Sequence, residues 1–446
     1  MPWRSPRKLL FLCAGLDLVA MGFAALLLNL LHGPNLLQPS WLVFVVGITY
    51  VLFSWLLGGY TLLRWPWLRL RLVIQRLLIT GFATLSSLIL LGWMLDFDRY
   101  SFILLDRIVL LELLGLQTVF ALFIRLILRI ISRSLSKPVW QLMAAPHHQI
   151  DVLREWQRNP FVRPPKLLNP RKLTNSSSLD SPVLRRPFSL AVAHDIDLSD
   201  HQRNQIGTLR SQGVVVTTIE DLAQRQLERI PPRLLPEEWL DLSDLPWTNE
   251  LSFQRKLKRT ADVALAMPML LISMPIFLIL SFAIWLEDRG PILYVQKRTG
   301  WMGQSFDLFK LRTMRVAGAN AATPWTTKGD LRVTNVGAWM RRTRLDELPQ
   351  LINVLRGEMS LIGPRPEQPR LDDQLAEQIP HYRKRYWMLP GLSGWAQVCG
   401  PAYPSTIDES ELKLSYDLYY LRNWNLSLDL LILAKTFKTL LKFRGV

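Results

Sequence analysis

Cysteine is scarce in this sequence of 446 residues, which contains only Cys13 and Cys399. Two isolated cysteines provide no disulfide framework, so the redox compartment stays open. The sequence also lacks the basic helix or interleaved aromatic motif that is typical of nucleic-acid-binding proteins, although its formal net charge is +17. We therefore attribute the positive charge to contact with membrane lipids or phosphorylated ligands, and expect no nucleic acid partner.

Apolar residues are abundant, making up 49% of the chain, and the first third contains four long apolar runs. Each run is close to the ~20 residues that a helix needs to cross a bilayer. The first run is too long for a cleavable signal peptide and has no small-residue cleavage site after it. The sequence therefore predicts a four-helix transmembrane bundle within residues 1–135, with spans at 9–31, 41–63, 77–94 and 108–131.

Clusters of Lys and Arg orient this bundle. They precede the first span, fill the second loop and close the fourth span, whereas the other loops are nearly neutral. Basic loops remain in the cytoplasm, so we predict that these three places are cytoplasmic. Asp106 and Glu112 are interpreted as interfacial groups, with a relay or transport site as the alternative. The basic residues are Arg4, Arg7, Lys8, Arg64, Arg69, Arg71, Arg76, Arg125, Arg129 and Arg133.

Residues 136–250 are more polar and are predicted to form a cytoplasmic α/β domain. The segments VWQLMAA, PFSLAVAHD and GVVVTTIED have the composition of strands, and helical stretches lie around them. This alternation favours a parallel, Rossmann-like sheet. The first strand leads into Ala144, Ala145 and Pro146, where a dinucleotide site would need glycines. We therefore interpret the domain as a degenerate Rossmann-like spacer or regulatory module without a cofactor.

A fifth apolar run, residues 263–285, contains Pro268 and Pro275. Its length alone would allow it to cross the membrane. A crossing would place the basic segments that follow on the outer side, against the positive-inside rule. Because proline interrupts helical hydrogen bonding, we predict a re-entrant helix that breaks at Pro275 and returns to the same face, so that Glu250 and Arg315 share one side. A kinked ordinary span is the alternative.

Asp346 and Glu347 form an acidic pair just after Arg341 and Arg344. The apolar pattern that follows predicts a helix ending at Gly357, with Asp346 as its N-cap. Helix amides and arginines would keep a carboxylate ionised there and attract phosphates. An ionised aspartate can attack phosphorus, and its neighbour can help to hold a divalent cation. An ordinary helix-capping role is the alternative.

Five motifs follow one another in the C-terminal region: KRTAD, VQKRTGWMGQSFDLFKLRTM, RRTRLDELPQLINVLRGEMSLIGPRP, LPGLSGWAQV and YDLYYLRNWNLSLDLLIL. In this order they resemble the polyisoprenyl-phosphate hexose-1-phosphate transferases, the large monotopic phosphoglycosyl transferases. The bundle and the middle domain are similar to those of long family members. The resemblance implies that residues 251–446 are an α-rich monotopic catalytic domain. Met274 replaces the serine that many relatives have before the helix-breaking proline, so the predicted break rests on Pro275. The segment CGPAYPS replaces the Asn-Gly-Arg of many members, so the family's sugar preference is not carried over.

The resemblance implies a two-step reaction. In the family, the aspartate of the acidic pair attacks the β-phosphate of a UDP-sugar, releases UMP and forms a phosphosugar–enzyme intermediate. Undecaprenyl phosphate then accepts the phosphosugar. The nucleophile corresponds to Asp346, and its partner, linked to Mg²⁺ binding and proton handling, corresponds to Glu347, so both are the expected metal ligands. The residues that correspond to phosphate-binding or active-site cations are Lys310, Arg312, Arg341 and Arg365.

The resemblance also implies a place in the cell. The catalytic domain would face the cytoplasm at the bacterial inner membrane and begin the assembly of exopolysaccharide, O-antigen or capsule. A homo-oligomer stays open, and a catalytically inactive membrane scaffold or regulator of polysaccharide assembly is the alternative function. The C-terminal segment 426–443 is amphipathic, which suits either a helix in the headgroup region or one packed on the catalytic domain.

Overall fold

The computed structural model of the chain divides into two compact units, Met1–Pro138 and Val139–Val446. The second unit contains both the segment predicted as an α/β domain and the segment predicted as catalytic. The structure describes residues 5–33, 40–60, 70–94, 107–134, 139–159, 162, 164–168, 188–194, 196, 198–245, 252–315, 332–401, 404 and 406–440. The predictions about residues 61–63 and 441–443 and about Arg4, Arg64, Arg69, Asp106 and Glu250 lie outside this part.

Apolar sequence forms the helices of the first unit. Three of these helices contain segments that are long and apolar enough to cross a membrane, Leu10–His32, Leu70–Leu91 and Ile108–Ile131, while the apolar segment Trp41–Leu56 is shorter. The segment Leu70–Leu91 begins earlier than the corresponding predicted span, 77–94. The helices are α1 (Ser5–His32), α2 (Ser40–Leu56), α3 (Leu70–Met94) and α4 (Arg107–Ser134).

A buried ion pair lies inside this bundle. Arg125 donates to the two carboxylate oxygens of Asp17 at 2.9 and 2.8 Å, and the Tyr60 hydroxyl donates to the same carboxylate at 2.9 Å. The side chains of Asp17 and Arg125 are both inaccessible to solvent. Arg125, which the sequence assigns to the cytoplasmic basic cluster, instead binds an aspartate inside the bundle.

The middle segment folds around a parallel sheet with strand order β2-β1-β3-β4. The register pairs Val139 with Phe188 and Ser189 with Val215. The three predicted strands and their parallel arrangement are therefore confirmed, and the short strand β2 is an addition. The elements are β1 (Val139–Met143), α5 (Pro146–Gln157), β2 (Lys166–Leu168), β3 (Phe188–Val192), α6 (Asp200–Ser211), β4 (Val215–Thr218) and α7 (Ile219–Leu227).

One long helix, α8 (Phe253–Asp288), begins the C-terminal region and contains both Pro268 and Pro275. Its segment Phe253–Glu287 is also long and apolar enough to cross a membrane. The predicted break at Pro275 is thus not a gap between two helices. A proline removes one helical hydrogen bond and can bend a helix without ending it.

Both ends of α8 pack against elements that follow it in the chain, whereas its middle is exposed. Near the start, Arg259 donates to the Leu355 carbonyl at 2.7 Å. Near the end, Ile284 is buried in a cluster with Met340. Between these contacts, Ile272 is 76% exposed. The apolar middle of α8 therefore projects from the core that holds its two ends.

The remaining elements build that core. The strands β5 and β6 form an antiparallel hairpin, and β7 and β8 pair in parallel. The elements are β5 (Leu293–Thr299), β6 (Ser305–Leu311), α9 (Asn335–Thr343), α10 (Gln350–Arg356), β7 (Ser360–Ile362), α11 (Pro369–Gln378), β8 (Gly391–Ser393), α12 (Trp395–Cys399), α13 (Ile407–Asn423) and α14 (Leu426–Leu440).

One face of helix α14 packs on other elements of the C-terminal region. Leu428 and Ile432 are fully buried, while Leu430 and Phe437 are 57% and 59% exposed. Asp429 accepts a hydrogen bond from Lys258 of α8 at 2.9 Å. Of the two predicted alternatives, packing therefore describes one face of the helix, and the other face remains apolar and exposed.

Candidate active site

The acidic pair lies in a short turn between two helices. Helix α9 ends at Thr343, Arg344 adopts a left-handed φ of 58°, and Leu345–Glu347 form a 3₁₀ turn. The residue before α10 is Pro349. The prediction that Asp346 is the N-cap is therefore wrong, because the left-handed residue ends α9 and starts a separate turn that carries the pair.

Strand β6 brings Lys310 to the pair. Its Nζ lies 3.6 Å from Oε1 of Glu347. The strand is held in place by Asn353 of α10, which accepts from the Phe309 amide at 3.1 Å and donates to the Asp307 carbonyl at 2.7 Å. Asn353 is fully buried. The sequence analysis missed this residue, because an asparagine within an apolar helix pattern does not reveal which strand it contacts.

The proline-flanked turn after β7 delivers Arg365. Its Nη2 donates to Oε1 of Glu347 at 2.6 Å, and its Nη1 lies 3.5 Å from Oε2. Glu347 is thus held by one arginine and one lysine that come from different elements. The structure therefore brings together Lys310, Glu347 and Arg365.

Asp346 differs from its neighbour. It is only 9% exposed, yet among the described residues no hydrogen-bond donor contacts its carboxylate. Burial, together with the charge of Glu347, raises the pKa of Asp346 to about 6, although Lys310, Arg341 and Arg365 oppose this shift. Burial would also raise the pKa of Glu347, but Arg365 and Lys310 outweigh it and lower that pKa well below its usual range. The two adjacent carboxylates therefore have separate titration ranges.

The other two predicted cations occupy different surroundings. Arg341 Nε donates to Oγ1 of Thr313 at 2.8 Å, and its charge is among those that lower the pKa of Asp346. Arg312 packs against the backbone of Gly290, where an added Cβ would lie 2.5 Å from its Nη1. Arg341 is therefore close enough to act on the pair, whereas the role of Arg312 in substrate binding stays a prediction.

The pair also provides the donor set for a divalent cation. Within the described part of the chain, no three His, Cys, Asp or Glu side chains group into a metal site. Mg²⁺ does not need such a cage, because it commonly binds one or two carboxylates together with substrate phosphates and water. Asp346, whose carboxylate no described donor occupies, fits this requirement, and Glu347 offers a second carboxylate that is partly occupied by Arg365.

Known proteins are similar to part of this chain. The chain is 41% identical to a UDP-N-acetylgalactosamine-undecaprenyl-phosphate N-acetylgalactosaminephosphotransferase of Aeromonas hydrophila, over 42% of this chain and 44% of the relative. It is 38% identical to a UDP-glucose:undecaprenyl-phosphate glucose-1-phosphate transferase of Escherichia coli, over 41% of this chain and 39% of the relative. The chain thus spans less than half the length of these two relatives.

A third relative, a UDP-glucose:undecaprenyl-phosphate glucose-1-phosphate transferase of Caulobacter vibrioides, is matched over a larger share of its own length. It is 41% identical over 41% of this chain and 69% of the relative. The profile of the family described as bacterial sugar transferase matches residues 253–443, which include the acidic pair, Lys310 and Arg365. The chain belongs to the bacterial sugar transferase family.

Proposed function

We propose that this chain transfers a hexose 1-phosphate from a UDP-sugar to undecaprenyl phosphate and releases UMP, as the first membrane step of exopolysaccharide, O-antigen or capsule assembly. The observation that carries the proposal is the buried Asp346 carboxylate, which no described donor contacts, beside a Glu347 held by Arg365 and Lys310. The names of the relatives, which specify sugar phosphate transfer to undecaprenyl phosphate, support the reaction class.

The reaction proceeds in two displacements. First, a carboxylate oxygen of ionised Asp346 attacks the phosphorus that bears the sugar. The bond from that phosphorus to the bridging oxygen breaks, and UMP leaves with the bonding electrons. Second, an oxygen of undecaprenyl phosphate attacks the same phosphorus, the acyl phosphate bond breaks, and the Asp346 carboxylate is restored.

The surrounding charges give Asp346 and Glu347 different roles. A carboxylate without hydrogen-bond donors retains its electron pairs for attack, and Asp346, which none of the described residues contacts with a donor, suits the nucleophile. Glu347 stays ionised and holds Arg365 and Lys310 where phosphate oxygens would arrive. Asp346 and Glu347 would hold Mg²⁺, which supplies charge neutralisation to the phosphate oxygens when bound.

The middle module is best described as Rossmann-like without a nucleotide. Its strand order is that of flavodoxin-like doubly wound sheets, in which ligands bind where the order reverses, at the carboxyl ends of β1 and β3. There, Leu234 from the following segment is fully buried in a cluster with Ala144 and Ala193, which follow the two strands. We interpret this packing as favouring a role as spacer or regulator over a ligand site.

The long helix α8 supports a re-entrant path in the membrane. Its two ends contact one core, and its exposed apolar middle contains Pro268 and Pro275. A bend at Pro275 would let the middle enter the inner membrane from the cytoplasmic face and return. Cysteine substitutions at Ser252 and Arg315, labelled in sealed vesicles, should react from the same side. Labelling from opposite sides would establish a crossing helix instead.

The function itself is tested with labelled UDP-sugars and Mg²⁺ on membranes that contain the full chain. We expect UMP release with at least one UDP-sugar and label in a lipid product when undecaprenyl phosphate is present. Without the lipid acceptor, label should remain bound covalently to the protein. A chain that is folded and membrane-inserted but releases no UMP from any UDP-sugar would support the inactive scaffold or regulator.

A further inference from the structure

The backbone carbonyl groups of the turn that carries Arg365 accept a continuous series of hydrogen bonds. Pro364 and Pro366 have no N–H group and cannot donate a backbone hydrogen bond. Each of the four carbonyls from Pro364 to Glu367 accepts a hydrogen bond from a separate residue. The donors, in order, are Gly391 N at 2.8 Å, Arg385 Nη2 at 3.0 Å, Arg298 Nη1 at 3.4 Å and Thr299 N at 2.9 Å.

Arg385 makes the contact at the carbonyl of Arg365 itself. Its guanidinium is only 2% exposed, and so is the side chain of Asp417, whose Oδ2 lies 2.9 Å from Arg385 Nη2. Its Nη1 donates to the Tyr382 hydroxyl at 2.7 Å. That hydroxyl in turn donates to Asp372 at 3.1 Å. The guanidinium is therefore held by Asp417 and Tyr382 as well as by the turn.

Burying a guanidinium costs free energy unless the charge is paired. In a purely structural core, an apolar side chain of similar volume often stabilises the fold equally well or better. What the planar fork of an arginine adds is direction, because its donors point along fixed lines. One nitrogen, Nη2, faces both the Asp417 carboxylate and the Arg365 carbonyl. Asp417 on α13 thus anchors, through an ion pair, the guanidinium that donates to the backbone of Arg365.

We propose that Arg385, held by Asp417, is a positioning residue that fixes the backbone of Arg365 so that its guanidinium meets Glu347 and the substrate phosphate. This inference rests on the proposed transferase function. It assigns a purpose to two buried charged residues that contact neither Asp346 nor Glu347 among the described interactions. Asp417 lies on a different element from the turn, so α13 becomes part of the active-site support.

The test is a double-mutant cycle on the full chain, with kcat/KM for UMP release normalised to folded protein. Arg385→Lys keeps the charge but loses the fork, so we expect kcat/KM to fall about 10- to 100-fold, the size typical of a small misplacement of a catalytic group. In an Arg365→Lys background, the same substitution should change kcat/KM by only about 2-fold, because its effect passes through Arg365.

A matched control comes from the α/β module. Arg229 is a buried arginine paired with Glu155, with side-chain exposures of 2% and 4%, and it does not contact the turn in the described structure. Arg229→Lys should lower the melting temperature by an amount similar to Arg385→Lys and leave kcat/KM per folded protein unchanged. If Arg385→Lys does not fold, Tyr382→Phe removes only one contact of the guanidinium, and we expect about a 3- to 10-fold loss.

The possible outcomes distinguish a positioning role of Arg385 from a purely structural one. Loss of kcat/KM with Arg385→Lys or Tyr382→Phe, and its disappearance in the Arg365→Lys background, supports the positioning role. If Arg385→Lys and Tyr382→Phe affect kcat/KM no more than Arg229→Lys does, or if their effects multiply with that of Arg365→Lys, the role is refuted. Either result requires a wild-type chain that releases UMP, whereas a wild-type chain that releases none refutes the proposed function instead.

Discussion

Two buried aspartates in this protein have opposite surroundings. In the bundle, the Asp17 carboxylate accepts hydrogen bonds from Arg125 and Tyr60. In the catalytic region, Asp346 has a similarly buried side chain but no donor among the described residues. A buried carboxylate that stabilises a fold needs partners, since an uncompensated charge is costly. The comparison therefore separates a carboxylate used for structure from one kept available for chemistry.

The neighbour of Asp346 sharpens this contrast. Glu347 is paired with Arg365 and Lys310, and its pKa is low because these two cations outweigh the effect of burial. Two acids that are adjacent in sequence thus have different charge environments. Proteins commonly separate the tasks of paired acids by such differences in environment.

The largest expected effect is on activity at Asp346. Asp346→Asn keeps the shape but loses the charge that attacks phosphorus, so turnover should fall to background, by about 10⁴-fold or more. The variant should retain no covalent label in the absence of lipid acceptor. Glu347→Gln should also be severely impaired but should still take up label slowly. Asp346→Asn that traps label at the wild-type rate would show that the nucleophile lies elsewhere.

Asp346→Asn should not lose stability. The pKa of folded Asp346, about 6, lies above the ~3.9 of an exposed aspartate, so the folded chain binds this proton more tightly. The resulting stabilisation is complete below about pH 4 and is lost as the pH rises through about 6. At pH 7 the substitution should therefore be neutral or stabilising by up to about 3 kcal/mol. Denaturant unfolding provides this check and excludes misfolding as the cause of inactivity.

In the bundle, replacing a buried aspartate should instead lower stability. Asp17→Asn removes the charge that balances Arg125, and breaking such a buried pair costs about 3–5 kcal/mol. A matched control is Glu112→Gln, because Glu112 lies 3.4 Å from His32 in a pair that is 38% and 50% exposed. The control should cost less than about 1 kcal/mol. If the two variants had equal melting temperatures in detergent, the buried Asp17 would contribute no more to stability than the exposed Glu112. The contrast between a structural Asp17 and a reactive Asp346 would then be lost.

The smallest expected effect is a dependence on pH. Asp346 must be ionised to attack, so kcat/KM should decrease by up to about tenfold for each pH unit below about 6. Glu347 remains ionised in this range because its pKa is far lower. The initial rate of label transfer, measured between pH 5 and 8, tests this order of titration. A rate that stays constant down to about pH 4.5 would contradict the raised pKa of Asp346.

Local patterns in the sequence predict much of this architecture. The apolar runs predict α1, α3, α4 and α8, because helix length and composition are local properties. Alternating composition predicts three strands of the module, and their parallel pairing follows from the helices between them. The motif order identifies the acidic pair and Arg365 as candidate site residues. The left-handed turn at Arg344, which prevents Asp346 from capping α10, was not predicted.

What the sequence by itself determined, then, is the long apolar helices, three strands of the middle module and the candidate acids and cations of the site. Which charges meet was decided only by the tertiary structure. Arg125 finds Asp17 across 108 residues, and Arg365 reaches Glu347 across 18. Composition and periodicity describe neighbours along a helix or strand, whereas a buried charge depends on partners supplied by other elements. The tertiary fold therefore decided that Asp17 accepts from Arg125 and Tyr60 and that, within the described part of the chain, Asp346 has no donor.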